Sequence, residues 1–229
     1  MKDVGTDEKQ KIRLVSFNCK TIKTCALIID KLLQTYDIIL IQEHWLFQVL
    51  IHLISEIHGE INYVGKGVDI NDPLLPVSMP RGYGGIAVIW RKEIDHIIKP
   101  LEDGSEKIQC IEIHGNKNSR LQVISVYLPA KGSKNHVTEF QECIDEIYEL
   151  IQKYGNTHKI LIEGDLNEDL NNASGSKRNN YLREFINEGK LKFNNTSKTF
   201  INANGKECSE IDYFLHNLST SSNKSFLIQ

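Results

Sequence analysis

The chain has 229 residues, 40 % of them hydrophobic and 25 % charged, with a formal net charge of -3; this suits one large α/β domain with a sizeable core. The slightly negative balance excludes a protein held to nucleic acid by an overall basic surface and leaves room only for a local basic face. Five cysteines without a CxxC pair make no zinc or disulfide framework, and no apolar run reaches the ~18 residues of a membrane span.

In chain order, MKDVGTDEKQK (residues 1–11) is a polar extension with no apolar core of a secretory signal. An intracellular protein of the nucleus or cytoplasm, without membrane contact, is expected. Ile12 to Phe17 reads as a strand, Lys23 to Thr35 as a helix and Asp37 to Gln42 as a nearly continuous apolar strand. Trp45 to Ile57 has helical spacing. Residues 65 to 82, with three prolines and three glycines, predict an irregular loop. Strands follow at Gly85 to Trp90, Ile108 to His114 and Leu121 to Leu128. Asn135 to Tyr154 is the longest helical pattern, and Ile160 to Glu163 is a strand. Leu182 to Ile186 predicts a short helix, and Thr199 to Ile201 and Ile211 to Leu215 predict strands. Residues 169 to 180 and 216 to 225 are polar and predict loops. The alternation of strands and helices, without an internal repeat or linker, predicts one α/β domain with mixed sheets over residues 12–229.

Several of these strands end in polar residues of one chemistry. Leu14-Val15-Ser16-Phe17 ends in Asn18, and Ile38 to Gln42 ends in Glu43. Ile124-Ser125-Val126 leads to Tyr127, Ile160-Leu161-Ile162 to Asp165 and Asn167, and Ser209-Glu210-Ile211 to Asp212. Taken singly, Asn18, Asp165 and Asn167 read as turn residues, Glu43 as a solvated helix start and Tyr127 as an amphipathic core residue. Asp212, inside an apolar strand, needs a partner, because an unpaired buried charge is costly. Strand ends converge on one rim of a sheet, where sites are built. Two Asp, one Glu, two Asn and a Tyr form a hard, oxygen-rich set suited to Mg²⁺ or Mn²⁺ rather than Zn²⁺.

The order SFN…QE…YGGIAV…VYLP…GDLN…SEIDYFL resembles the endonuclease/exonuclease/phosphatase superfamily, over about Ile12 to Leu215. The run NCKTIKT…YDIILIQEHWL is most similar to the endonuclease domains of LINE-type non-LTR retrotransposons. The resemblance implies a four-layer α/β sandwich, two mixed β-sheets flanked by helices. It also implies a Mg²⁺- or Mn²⁺-dependent phosphodiesterase acting foremost on DNA as an endonuclease. By the same resemblance Glu43 is the metal-binding carboxylate and Asn18 the amide beside it. Asp165 orients or deprotonates the attacking water, Asn167 holds a phosphate oxygen, Tyr127 stands near the scissile phosphate and Asp212 orients a catalytic histidine. The pattern departs from the family at two points. Ala130 stands where relatives often carry Asn after the Tyr-x-Pro element. No Ser-Asp-His triplet follows Asp212, so a chain lacking its last strand and impaired in catalysis is expected; His216 follows Asp212 closely on the same run. Alternatives on the same fold are an RNA exonuclease or a phosphoinositide phosphatase. A reading of another class is a catalytically dead remnant that binds nucleic acid or a protein partner. Lys177 and Arg178, in the polar stretch 169 to 180, could touch a nucleic-acid backbone or belong to a solvated loop.

Overall fold

A computed structural model describes residues 11–71, 83–132, 135–172, 175–193, 198–201, 204–218 and 227–228. Strand β1 (Leu14–Asn18), helix α1 (Ile22–Leu33) and strand β2 (Ile38–Gln42) form a parallel strand–helix–strand unit. A 3₁₀ helix (Gln48–Glu56) leads to β3 (Ile61–Lys66) and β4 (Ile86–Arg91), which pairs antiparallel with β2. A second 3₁₀ helix (Lys92–Ile97) precedes β5 (Ile98–Leu101), β6 (Ile108–His114) and β7 (Arg120–Tyr127). Helix α2 (His136–Tyr154) carries the chain to β8 (Lys159–Asp165), parallel to β7. Helix α3 (Lys177–Glu188), β9 (Lys192–Phe193), β10 (Phe200–Ile201), β11 (Glu207–Ser209), β12 (Asp212–His216) and β13 (Leu227–Ile228) follow. The first sheet has the order β13-β1-β2-β4-β3 and the second β5-β6-β7-β8-β12-β9; β10 and β11 form a separate hairpin.

Strand alternation sorts side chains into layers. Ile39, Ile41, Ala87 and Ile89 face outward from the first sheet onto α1, whose Ile29, Leu32 and Leu33 form its apolar stripe, and onto Ile54. Ile124, Val126, Ile160 and Ile162 face outward from the second sheet onto Phe140, Ile144 and Ile147 of α2 and Leu182 and Phe185 of α3. The intervening residues, Ile38, Leu40, Val88, Ile111, Val123, Leu161 and Phe214, meet between the sheets. The result is the expected four-layer sandwich. Among the described residues no helix is long and apolar enough to cross a membrane.

The inner layer changes character along the strands. It is apolar at Leu40, Val123 and Leu161, then polar at Ser16, Gln42, Ser125 and Glu163, all buried. One step further it reaches the rim that carries Asn18, Tyr127 and Asp165.

The structure departs from these expectations at four places. The helical pattern from Trp45 to Ile57 is a 3₁₀ helix confined to Gln48–Glu56, because Glu43 and Trp45 both adopt φ 57, where no right-handed helix can run. Lys66, placed in the irregular stretch 65 to 82, ends strand β3; residues 72–82 lie outside the described residues. β5, not expected from the sequence, holds Pro100 and is an edge strand, the place where a sheet tolerates proline. Helix α3 begins five residues earlier than its apolar pattern. The Ser176 hydroxyl caps it by accepting the Asn179 N–H at 3.1 Å.

Candidate active site

Five strands deliver the predicted residues to one rim. Asn18 ends β1 and lies beside Gln42, the residue before Glu43. Tyr127, Asp165 and Asp212 sit side by side in register on β7, β8 and β12, so their side chains share one face. Gly164 permits this packing. Its φ is +142, and a Cβ there would stand 2.0 Å from the Val126 carbonyl oxygen.

The two sheets are tied together at this rim. The Asn18 amide Nδ2 donates to Glu43 Oε1 at 2.8 Å and to Asp165 Oδ2 at 3.1 Å. Only the nitrogen can sit between two carboxylate oxygens, so the amide orientation follows from its partners. Its Oδ1 is buried without a hydrogen-bond partner among the described residues. Asp165 Oδ1 accepts the Asn167 backbone N–H at 2.9 Å, and Asn167 Nδ2 donates to the Leu128 carbonyl at 2.8 Å. Asn167 holds φ 48, which turns the chain back across the strand end. A cleft of about 450 Å³ opens here, lined by Lys20, Glu43, Ala130, Asp165, Thr199 and Asp212.

Charge is crowded. Burial pushes the Asp165 carboxyl up to about 8, and Asp212 and Glu43 repel its charge further, against the hydrogen bonds from Asn167 and Asn18. Asp212 is raised as well, by burial first, while a hydrogen bond from Thr199 opposes the shift. Glu163, one step deeper and fully buried, has both carboxyl oxygens without a hydrogen-bond partner among the described residues, and burial drives it well above the usual range. Burial, then Glu43 and Asp165, hold the Tyr127 phenol above its ordinary value, so it remains an O–H donor at neutral pH.

Residues outside the predicted set hold this arrangement. His44 is buried between Glu43 and Trp45. Its Nδ1 accepts the Leu46 N–H at 3.0 Å, which puts the hydrogen on Nε2, 3.0 Å from the Lys66 carbonyl. Burial lowers His44 to about 4. Gly85, at φ +80, makes room for it: a Cβ there would meet the His44 ring at 2.3 Å. Trp45 donates its indole N–H to Glu43 Oε2 at 3.2 Å. Left-handed φ also occurs at Lys20 and Thr21, so strained non-glycine backbone gathers around the rim. Arg178 is the largest departure from expectation. It is 2 % exposed and structural. It donates to the Pro129 carbonyl at 2.7 Å and the Asn167 carbonyl at 3.0 Å, stands 3.4 Å from Glu168 and covers the Phe140 ring. It thereby joins the turns after β7 and β8. A cation in a Ser/Asn/Gly stretch carries no sequence signal for that role.

His216 is excluded as the partner of Asp212. Asp212 pairs with Asp165 and His216 with Leu161, so they are four residues apart on one strand, about 13 Å. The groups acting on Asp212 include Thr199, Glu210 and Asp165.

The donor set fits a hard divalent cation. Asn18 Oδ1 is an orphaned acceptor next to the Glu43 carboxylate, and a cation there would relieve the repulsion among the acids. Among the described residues no three His, Cys, Asp or Glu are grouped to enclose a metal. Few protein ligands and several waters is the habit of Mg²⁺.

Residues 121–227 match the family described as endonuclease-reverse transcriptase. No curated protein gives a significant match. Three of the solved structures that share the fold illustrate it. The 3'-phosphatase NExo from Neisseria bound to product DNA hairpin has 14 % identity over 90 % of this chain and 86 % of that one, with TM-score 0.66. The AP endonuclease LMAP from Leishmania major has 13 % identity over 90 % and 78 %, with TM-score 0.70. The endonuclease domain of TRAS1, a telomere-specific non-LTR retrotransposon, has 15 % identity over 89 % and 83 %, with TM-score 0.62. The chain thus shares the fold of these three structures, and residues 121–227 carry the match to the endonuclease-reverse transcriptase family.

Proposed function

Starting from that partial family match and the shared fold, we propose that residues 12–229 act as a phosphodiesterase that needs Mg²⁺ or Mn²⁺ and cuts DNA as an endonuclease of retrotransposon type. The observation that carries this reading is the Asn18 amide, which bridges Glu43 and Asp165 from opposite sheets and leaves a buried oxygen without a partner among the described residues. The family match and the TRAS1 likeness support the choice of DNA and of endonucleolytic cutting.

In this reading Glu43 and Asn18 Oδ1 hold the cation. When bound, it would reduce the repulsion between phosphate and nucleophile and stabilise the leaving alkoxide. Asp165 accepts the proton of the attacking water on its carboxylate. Its raised proton affinity suits a general base near neutral pH. Tyr127 O–H and the Asn167 amide face charge growing on phosphoryl oxygens, and Tyr127 is kept protonated for it. Asp212 keeps Asp165 basic by repulsion.

Asp212 also favours a second reading. Thr199 and Glu210 act on it and neither is an imidazole, so the terminal electrostatic stabiliser of the family pattern is not among the described residues. A remnant that binds nucleic acid without cutting it is the consequence. A supercoiled-plasmid assay with 5' and 3' end analysis separates the two, run in Mg²⁺, Mn²⁺ and EDTA. The enzyme nicks with metal only, and Asp165→Asn abolishes it. Retained nicking by Asp165→Asn would remove Asp165 as the base, and binding without nicking would establish the remnant.

A further inference from the structure

Glu43 is held at both oxygens, and the second hold comes from a residue with no assigned part. Asn18 donates to Oε1 from β1, and Trp45 donates its indole N–H to Oε2 at 3.2 Å. The two carboxylate oxygens offer four lone pairs, so these two donors, together with the Tyr127 hydroxyl that also bonds Glu43, still leave one for a cation. The indole is itself fixed. The Trp45 backbone N–H donates to the Gly84 carbonyl at 3.0 Å, and the ring packs edge-on against Tyr83 with centroids 5.1 Å apart.

The backbone between them is shaped for this contact. Glu43 and Trp45 both take φ 57 around the buried His44, a conformation unfavourable for residues other than glycine. It turns the two side chains to the same rim while His44 points into the core. The Glu43 N–H is held in turn by the Gly85 carbonyl at 3.0 Å. Neither β2 nor β4 needs Trp45 for its packing, since their buried clusters are closed by Ile39, Ile41, Ala87 and Ile89. A packing role alone would also leave the direction of the indole N–H open.

We propose that Trp45 is a positioning residue that holds the Glu43 carboxylate in the orientation that receives a divalent cation, with Tyr83 bracing the indole. The inference rests on the reading of Glu43 and Asn18 as cation ligands, and it adds a donor outside them that sets their affinity.

Trp45→Phe keeps an aromatic ring against Tyr83 and deletes only the N–H donor. The test is Mn²⁺ affinity of the full chain, by electron paramagnetic resonance and calorimetry, beside its melting temperature in EDTA. Loss of an outer donor to a metal ligand weakens binding roughly 10- to 100-fold. The expected result is a loss of about tenfold in Trp45→Phe at unchanged melting temperature, and a smaller loss in Tyr83→Ala, which keeps the indole. In a Glu43→Gln background Trp45→Phe should add nothing, because its effect passes through Glu43. Wild-type affinity in both single variants, or an equal loss with and without Glu43, would overturn the role of Trp45 and leave the functional reading standing. Should Trp45→Phe fail to fold, Tyr83→Ala decides alone. Failure of the wild-type chain to bind Mn²⁺ would remove the functional reading, and this inference with it.

Discussion

Replacing Asp165, the proposed general base, should make this protein more stable, and by an amount that depends on pH. In the fold Asp165 titrates at about 8, against about 3.9 in an unfolded chain. The folded state therefore keeps a proton that the unfolded state releases. Stability falls as pH rises from about 4 to about 8, and the penalty is complete above that. Four units at about 1.4 kcal/mol each set an upper limit of about 6 kcal/mol. Asp165→Asn removes this penalty but not without loss. Its Oδ1 can still accept the Asn167 N–H, whereas its Nδ2 faces the Asn18 Nδ2 donor that Asp165 Oδ2 now satisfies. That mismatch costs about 1–3 kcal/mol. The variant should thus be less stable than wild type near pH 4.5 and more stable near pH 8, by about 2 kcal/mol or more. For a chain of this size that is a rise of about 4–8 °C in melting temperature. Melting curves in EDTA at pH 4.5, 6 and 8 read it directly. A difference that does not change with pH, or a variant less stable than wild type at pH 8, would refute the crowding argument.

Three further outcomes are expected. His44 titrates at about 4 in the fold and about 6.5 unfolded, so its contribution is intact above pH 6.5 and lost as pH falls to 4, up to about 3 kcal/mol; the stability gap between wild type and His44→Gln in urea melts should narrow over that window. Arg178→Met leaves Lys131 facing Glu168 at 3.1 Å but strips the Pro129 and Asn167 carbonyls of the guanidinium they accept from, and should cost about 3 kcal/mol in urea unfolding. DNA binding should weaken steeply with salt, each contacted phosphate adding about 0.9 to the slope of log affinity against log salt; affinity that stays constant in a fluorescence-anisotropy titration from low to high salt would contradict backbone contacts by local Lys and Arg.

Much of this architecture is already written in local pattern. Near-continuous apolar runs in LVSFN, IILIQ, VISVY and ILIEGD report which strands have two buried faces, and the polar residue that breaks each run marks its open end. Asn18, Glu43, Tyr127, Asp165 and Asp212 could be picked out this way because a strand end is a local event. The apolar stripe of α2 was legible for the same reason. What a chain cannot state locally is which ends meet. Asn18 and Asp165 are 147 residues apart and belong to different sheets, and only the stacking of those sheets brings their side chains to 3.1 Å. The raised proton affinity of Asp165 follows from that meeting, since burial and repulsion depend on distance rather than on neighbours in sequence. Trp45 was hidden in a helical period that a left-handed backbone interrupts, and Arg178 in a polar stretch that reads as solvated loop. Trp45 meets Glu43, two residues away, only because the left-handed backbone turns both side chains to one rim, whereas Arg178 meets the Pro129 and Asn167 carbonyls through the fold. Hydrophobic periodicity records how deeply each residue is buried, whereas hydrogen bonds and charges act between specific atoms across space, and those separations exist only once the two sheets have packed.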